Sequence, residues 1–312
     1  MNRRIFLKTA GIASLAIYTG TGFLSASDTG YPEISITIDD FNVQNCAILS
    51  GIDSNRAMID ALNNHSNLKA ALFVTGKFLQ EKNNIGLIKE WNEAGHIICN
   101  HTYSHFYYPK TDIENFKSDI LKNDELLSGF SQFRKIFRFP YLKEGNTIEQ
   151  RDKMRSFLKE NGYKTGHVTV DASDWYICSR LRKRIEQNPD SDLSGYKKYY
   201  LEHILKRANY YNTLSKKVLG RSVKHTLLIH HNTLNGLYLE DLLKMFTENG
   251  WKLIDAEAAF NDKVFNMKPD ILPAGESIIW SLAKAAGNFE DELRYPAEDE
   301  IYEKPLMDKL DL

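Results

Sequence analysis

Two adjacent aspartates, Asp39 and Asp40, stand where the alternating run Ile34-Ser35-Ile36-Thr37-Ile38 gives out. The run reads as a strand with one apolar face. Neighbouring carboxylates at its end repel each other, so they must be hydrated, paired or metal-bound. Further along, His101-Thr102-Tyr103-Ser104-His105 offers two imidazoles four residues apart. Together with one aspartate they supply the three ligands of a catalytic zinc-type site, which leaves a position open for water or substrate.

Other polar residues fall at comparable places. Arg138 and Tyr141 flank a fourth candidate strand, Asp171 and Asp174 follow a fifth, and His230-His231 end a sixth. Singly these signals are bland. A His-x3-His spacing arises readily in a chain with nine histidines, and Leu227-Leu228-Ile229-His230 alone reads as a buried strand ending in a core histidine. Their shared position at the C-terminal ends of strands is not bland, because barrel active sites are built on that face.

The elements that must position these residues alternate along the chain. β-type runs cover 33–39, 70–75, 96–100, 135–139, 163–171, 226–231 and 251–255, with helix-period segments between them. Gly95, Gly162, Gly220 and Gly250 close several of the helical segments in the C-cap position. Such alternation predicts parallel βα units, and seven strands predict a distorted (β/α)7 barrel, one unit short of the usual eight. Residues 28–260 would form the catalytic domain, with a helical insertion at about 181–220 rich in Lys, Arg and Tyr. A looser C-terminal extension, 261–312, follows.

Composition narrows the class. A net charge of −1 excludes the basic footprint of a nucleic-acid binder, and 42% hydrophobic residues suffice for a sizeable core. Asn2-Arg3-Arg4-Ile5-Phe6-Leu7-Lys8 is a twin-arginine pattern, followed by an apolar stretch and the small residues Ser25-Ala26-Ser27. Residues 1–27 therefore read as an export signal, which predicts a periplasmic or extracellular protein with no stable membrane insertion after signal removal. Three scattered cysteines, Cys46, Cys99 and Cys178, make no disulfide framework, and Cys99 reads as a small buried hydrophobe. The sequence does not address oligomeric state.

Taken in order, the motifs resemble those of the polysaccharide deacetylases, family 4 of the carbohydrate esterases. The resemblance runs from about Ile34 to Ile254. It rests on Thr37-Ile38-Asp39-Asp40-Phe41, His101 to His105, Arg138 to Tyr141, Asp171 to Trp175, and Leu228-Ile229-His230. It implies a divalent metal held by Asp40, His101 and His105, most simply zinc, with cobalt, nickel or iron also suited to such a donor set. It also implies Asp39 as general base, Arg138 as its holder, and the Tyr141 backbone N–H as an oxyanion donor. His230 becomes the general acid oriented by Asp174, and Trp175 a wall for a sugar ring.

The implied reaction is removal of N-acetyl groups from a glycan substrate such as peptidoglycan, a chitin-like oligomer or poly-N-acetylglucosamine. An O-deacetylase of the acetylxylan-esterase type and a non-catalytic carbohydrate-binding protein are the alternatives. Two departures stand out. Phe41 replaces the family's glycine, so the loop after Asp40 should differ in shape, and His231 competes with His230 for the pocket. Strand alternation puts those two on opposite faces, and the Leu-x-His pattern favours His230.

Overall fold

The computed structural model describes residues 30–80, 84–294 and 299–312. The expected export signal at 1–27 lies outside them. Residues 31–312 make up one compact unit.

Among the described residues, nine strands run in chain order: β1 (Glu33–Asp40), β2 (Ala71–Val74), β3 (Ile97–Asn100), β4 (Phe133–Phe137), β5 (Lys143–Gly145), β6 (Lys164–Thr165), β7 (Lys224–His230), β8 (Lys252–Leu253) and β9 (Ala274–Gly275). The described residues also form the α-helices α1 (Gly51–Asn64), α2 (Asn84–Glu93), α3 (Ile113–Leu127), α4 (Ile148–Glu160), α5 (Asp174–Gln187), α6 (Ser194–Leu219), α7 (Thr233–Glu248), α8 (Ala256–Phe260), α9 (Ile278–Ala286) and α10 (Lys304–Lys309). Local chemistry fixes their starts. Ser50, Asp112, Thr147, Asn232 and Ser277 cap α1, α3, α4, α7 and α9, each accepting a backbone N–H of the first turn.

Seven strands form one parallel, curled sheet in the order β6-β4-β3-β2-β1-β7, with β8 beside the start of β1. The architecture is that of the expected distorted barrel. The period-2 pattern of β1 sets its two faces. Ile34, Ile36 and Ile38 are buried in the large apolar layer beneath the helices, while Ser35, Thr37 and Asp39 are buried on the other side. β2 splits the same way: Leu72 and Val74 join the outer layer, whereas Ala71 and Phe73 pack with Ile97, Cys99 and Ala256 inside the barrel.

The predicted strand 163–171 is not continuous. Lys164 and Thr165 pair with Ile136 and Phe137 of β4, and five residues later Val170 bridges to Leu227 of β7. One short segment thus spans the two edges of the sheet, and it cannot keep a full ladder to both. The crossing passes close to the interior: a side chain at Gly166 would meet the Phe73 ring at 2.5 Å.

Beyond 260 the chain remains part of this unit. β9 pairs antiparallel with β5, the Ser277 hydroxyl donates to the Thr169 carbonyl at 2.8 Å, and α9 packs on α6. The long α6 buries Tyr196, Tyr200, Ile204 and Tyr211 in the main core. No helix among the described residues is long and apolar enough to cross a membrane.

Candidate active site

Asp39 and Asp40 end β1, and His101 follows β3 directly. In the β1–β7 register Asp39 lies opposite His230. The parallel sheet thus brings four residues, spread over nearly two hundred positions, to one rim.

Asp40 Oδ1 lies 3.1 Å from His105 Nε2 and 3.5 Å from His101 Nε2. All three donor atoms fall within 4.8 Å of one another. The Asp40 oxygen is buried and makes no hydrogen bond. Three donors that converge without satisfying one another are what a cation between them requires, and one carboxylate with two imidazoles suits a transition metal. His101 Nδ1 contacts the Arg138 carbonyl at 2.8 Å. Donation of its proton there leaves the Nε2 lone pair turned to the cluster.

Burial and charge compete in the titration of this group. It pushes the His101 imidazole down to about 4, against the opposing pull of Asp39 and Asp40. For Asp40, burial pushes the carboxyl up, but contact with His105 and the charges of His230 and His101 outweigh it and hold the group below the usual carboxylate range.

Asp39 sits on one side of the cluster, buried. Arg138 Nη1 donates to its Oδ1 at 2.5 Å and to Thr37 Oγ1 at 2.9 Å, and Arg138 Nε donates to the Gly166 carbonyl at 2.8 Å. The guanidinium lies 3.7 Å above the Phe73 ring. Arg138 is therefore held from several directions inside the barrel, and it fixes Asp39 in turn.

His230 occupies the other side. Its Nδ1 contacts Asp174 Oδ1 at 2.8 Å. Asp174 Oδ2 accepts from the His230 backbone N–H, Asn232 Nδ2 and Asn235 Nδ2, all at 2.8–2.9 Å. Burial pushes the imidazole down, but the charge and hydrogen bond of Asp174, helped by Asp40 and Asp39, raise it to about 10. His231 points into the core instead, with Nε2 3.0 Å from Asn55 Oδ1 and its ring 4.9 Å from that of Phe41.

Asp39, Asp40, His101, His105 and His230 line one cavity of about 620 Å³, within the usual range of small-ligand sites. Trp175, 45% exposed, and Tyr141, 56% exposed, form walls at its mouth. Tyr141 has φ 58 and stands edge-on to His105 at 4.7 Å. Phe41, where the family carries glycine, keeps the left-handed backbone at φ 55 and buries its ring. The loop thus retains a glycine-like conformation with an aromatic side chain.

The structure brings together the residues to which the resemblance gives roles: Asp39, Asp40, His101, His105, Arg138, Tyr141, Asp174, Trp175 and His230. It also adds residues that sequence reasoning missed. Tyr107, Leu142, Lys143 and Glu276 line the same cavity. Leu142 and Lys143 directly follow the Arg-x-Pro-Tyr motif, so that adjacency was a usable signal. Glu276 lies in a proline- and glycine-punctuated stretch with no periodicity to read.

A family model described as polysaccharide deacetylase matches residues 26–166. A curated relative, peptidoglycan-N-acetylglucosamine deacetylase of Bacillus cereus, is 28% identical over 205 residues, covering 65% of this chain and 57% of that protein. The chain therefore spans less than two thirds of that relative's length. Among solved structures, a polysaccharide deacetylase from Bacillus cereus superposes with a TM-score of 0.52 at 17% identity, covering 72% of this chain and 91% of that one. A family 4 carbohydrate esterase from Bacillus subtilis gives 0.50 at 19% identity, covering 74% and 81%. A CE4 family pseudoenzyme from Bacillus anthracis gives 0.50 at 17% identity, covering 74% and 66%. The three structures bear out the fold, and the family model with the curated relative bears out the resemblance.

Proposed function

We propose that this chain, a relative of the polysaccharide deacetylases, is a metal-dependent hydrolase that removes N-acetyl groups from a glycan. One observation carries the reading. The donors of Asp40, His101 and His105 converge around an unsatisfied buried oxygen, between an Asp39–Arg138 pair on one side and a His230–Asp174 pair on the other.

Amide hydrolysis needs an activated nucleophile, charge stabilisation on the carbonyl oxygen and a proton for the departing amine. A divalent cation held by Asp40, His101 and His105 would supply Lewis-acid polarisation of the carbonyl and lower the pKa of a water at the site. Zinc suits the donor set, as do cobalt, nickel and iron. Asp39, fixed by Arg138, takes the proton of the attacking water. The Tyr141 N–H donates to the carbonyl oxygen as it gains negative charge. His230 gives its proton to the leaving amine, with Asp174 holding the imidazole in orientation. Trp175 offers a face on which a sugar ring can lie.

The His230–Asp174 pair favours amides over esters, since an alkoxide departs with less help from an acid than an amine does. Retention of base, acid and triad favours turnover over carbohydrate binding alone. The twin-arginine pattern at the N-terminus supports action outside the cytoplasm, on a cell-wall or extracellular glycan such as peptidoglycan or a chitin-like polymer.

The test is acetate release by the zinc-loaded protein from chitin oligomers, peptidoglycan and acetylated xylan, with and without chelation. Release from an N-acetylated glycan that chelation abolishes is the expected result. Release from acetylated xylan alone would convert the reading to an O-deacetylase. Zinc binding with no release from any of the three would leave carbohydrate binding alone.

A further inference from the structure

Strained backbone in the described residues clusters at this site. Five residues of the motifs, Asp40, Phe41, Thr102, His105 and Tyr141, have positive φ without being glycine. Two residues outside the motifs share that feature and line the same cavity: Leu142 at φ 56 and Glu276 at φ 70. Such conformations persist only where the surroundings enforce them, and they concentrate at functional sites. Glu276 is enforced on both sides. Its N–H donates to the Leu142 carbonyl at 2.9 Å, Gly275 before it sits at φ 122, and the Ser277 hydroxyl after it is tied to Thr169.

The strained turn sets the Glu276 carboxylate against the Lys143 ammonium, where the two form an ion pair across the β5–β9 ladder. Both side chains are largely buried, at 24% and 10% exposure, yet both line the cavity that holds the triad. A desolvated pair contributes little to stability compared with an apolar replacement, so its place on the cavity wall calls for another explanation. Burial lowers the ammonium, against the pull of Asp171 nearby. The pair is neutral as a unit. Lys143 has three N–H donors, of which Glu276 takes one, and Glu276 keeps acceptor capacity. Adjacent spare donors and acceptors suit sugar hydroxyls, which both donate and accept. A carboxylate or a free amine would gain no net charge attraction from a neutral pair and would lose its hydration on entering.

We propose that Lys143 and Glu276 together bind the hydroxyl groups of a neutral sugar residue beside the scissile acetamide, and so select uncharged N-acetylated sugars. The proposal rests on the glycan-deacetylase reading and names the substrate class within it.

The experiment measures KM and kcat for acetate release from penta-N-acetylchitopentaose by zinc-loaded protein, comparing wild type with Glu276→Gln, Lys143→Met and the double variant. Each single change should raise KM about tenfold or more, the effect of losing a hydrogen bond to a charged group. The double variant should lose little beyond the worse single change, because the two residues act as a unit. Glu276→Gln should also narrow the preference for this oligomer over carboxylate-bearing peptidoglycan fragments, which a merely structural role would not do. Zinc content and melting temperature report folding. Should a single variant fail to fold, the double variant, which leaves no unpaired charge, carries the measurement. A KM within twofold of wild type in folded, zinc-replete variants would overturn the proposal while leaving the deacetylase reading intact. Absence of acetate release from every glycan by wild type would overturn that reading and this proposal with it.

Discussion

Asp174 holds His230 by both of its oxygens: Oδ1 meets the ring Nδ1 at 2.8 Å and Oδ2 accepts the backbone N–H of the same residue at 2.9 Å. Ring and backbone are fixed by one carboxylate, at the first residue of α5. This relationship makes His230 a candidate acid and sets its titration.

Asp174→Asn therefore has a signed pH consequence. In the fold, burial pushes His230 down and Asp174 pulls it up, from 6.5 to about 10. Stability contributed by the protonated ring is complete below about 6.5 and is lost as pH rises through about 10. Without the carboxylate, burial dominates. The alkaline limb of the rate profile should then move to lower pH, and activity near pH 8 should fall about tenfold or more. A pH–rate profile at constant zinc checks this; an unmoved alkaline limb would remove His230 from the acid role.

His230→Ala and His231→Ala should separate cleanly. The first should slow amide hydrolysis by about 10²–10⁴-fold, as loss of a general acid does. The second removes a buried ring bonded to Asn55 and packed on Phe41. It should cost about 1–3 kcal/mol of stability with a much smaller effect on rate. Denaturant melts alongside acetate assays distinguish the two, and a reversed pattern would mean the wrong imidazole faces the substrate.

Asp39→Asn and His105→Ala should differ in metal content. The aspartate variant should lose at least about a hundredfold in turnover while retaining zinc. His105→Ala should lose both, since it removes one of the three converging donors. Metal analysis after dialysis decides, and wild-type zinc in His105→Ala would refute the ligand assignment. Asp39→Asn should also melt lower, because it strips the charge partner from a guanidinium that is 1% exposed.

Gly166→Ala tests the support beneath Arg138. The new methyl would meet Phe73, the ring on which the guanidinium rests, at 2.5 Å, and would press the backbone whose carbonyl Arg138 holds. Overpacking there should cost about 1–3 kcal/mol. Activity should fall through a shifted Arg138–Asp39 pair, with zinc content preserved. Calorimetry with metal analysis checks it, and an unchanged melting temperature would mean the ring yields freely.

Sequence alone determined much of this protein. The alternation of apolar runs with helical segments fixed a parallel barrel, because a buried parallel strand and its crossover helix leave distinct periodicities. Side-chain alternation gave β1 one apolar face, and the strand-end positions of the polar residues gathered them on one rim. That His230 and His231 turn to opposite sides was also legible, as adjacent residues on a strand must.

Tertiary structure decided what depends on crossings and distant contacts. The segment predicted as one strand over 163–171 divides because it must pair with β4 at one end and β7 at the other, a demand of barrel closure that no local pattern records. Arg138 could be read as a strand exit from sequence, but only packing shows it threaded between Thr37, Gly166 and Phe73 to reach Asp39. Glu276 carries no motif and lies more than a hundred residues past the family match. It enters the cavity because β9 pairs with β5, and antiparallel pairing between remote segments is set by what surrounds them rather than by their own residues.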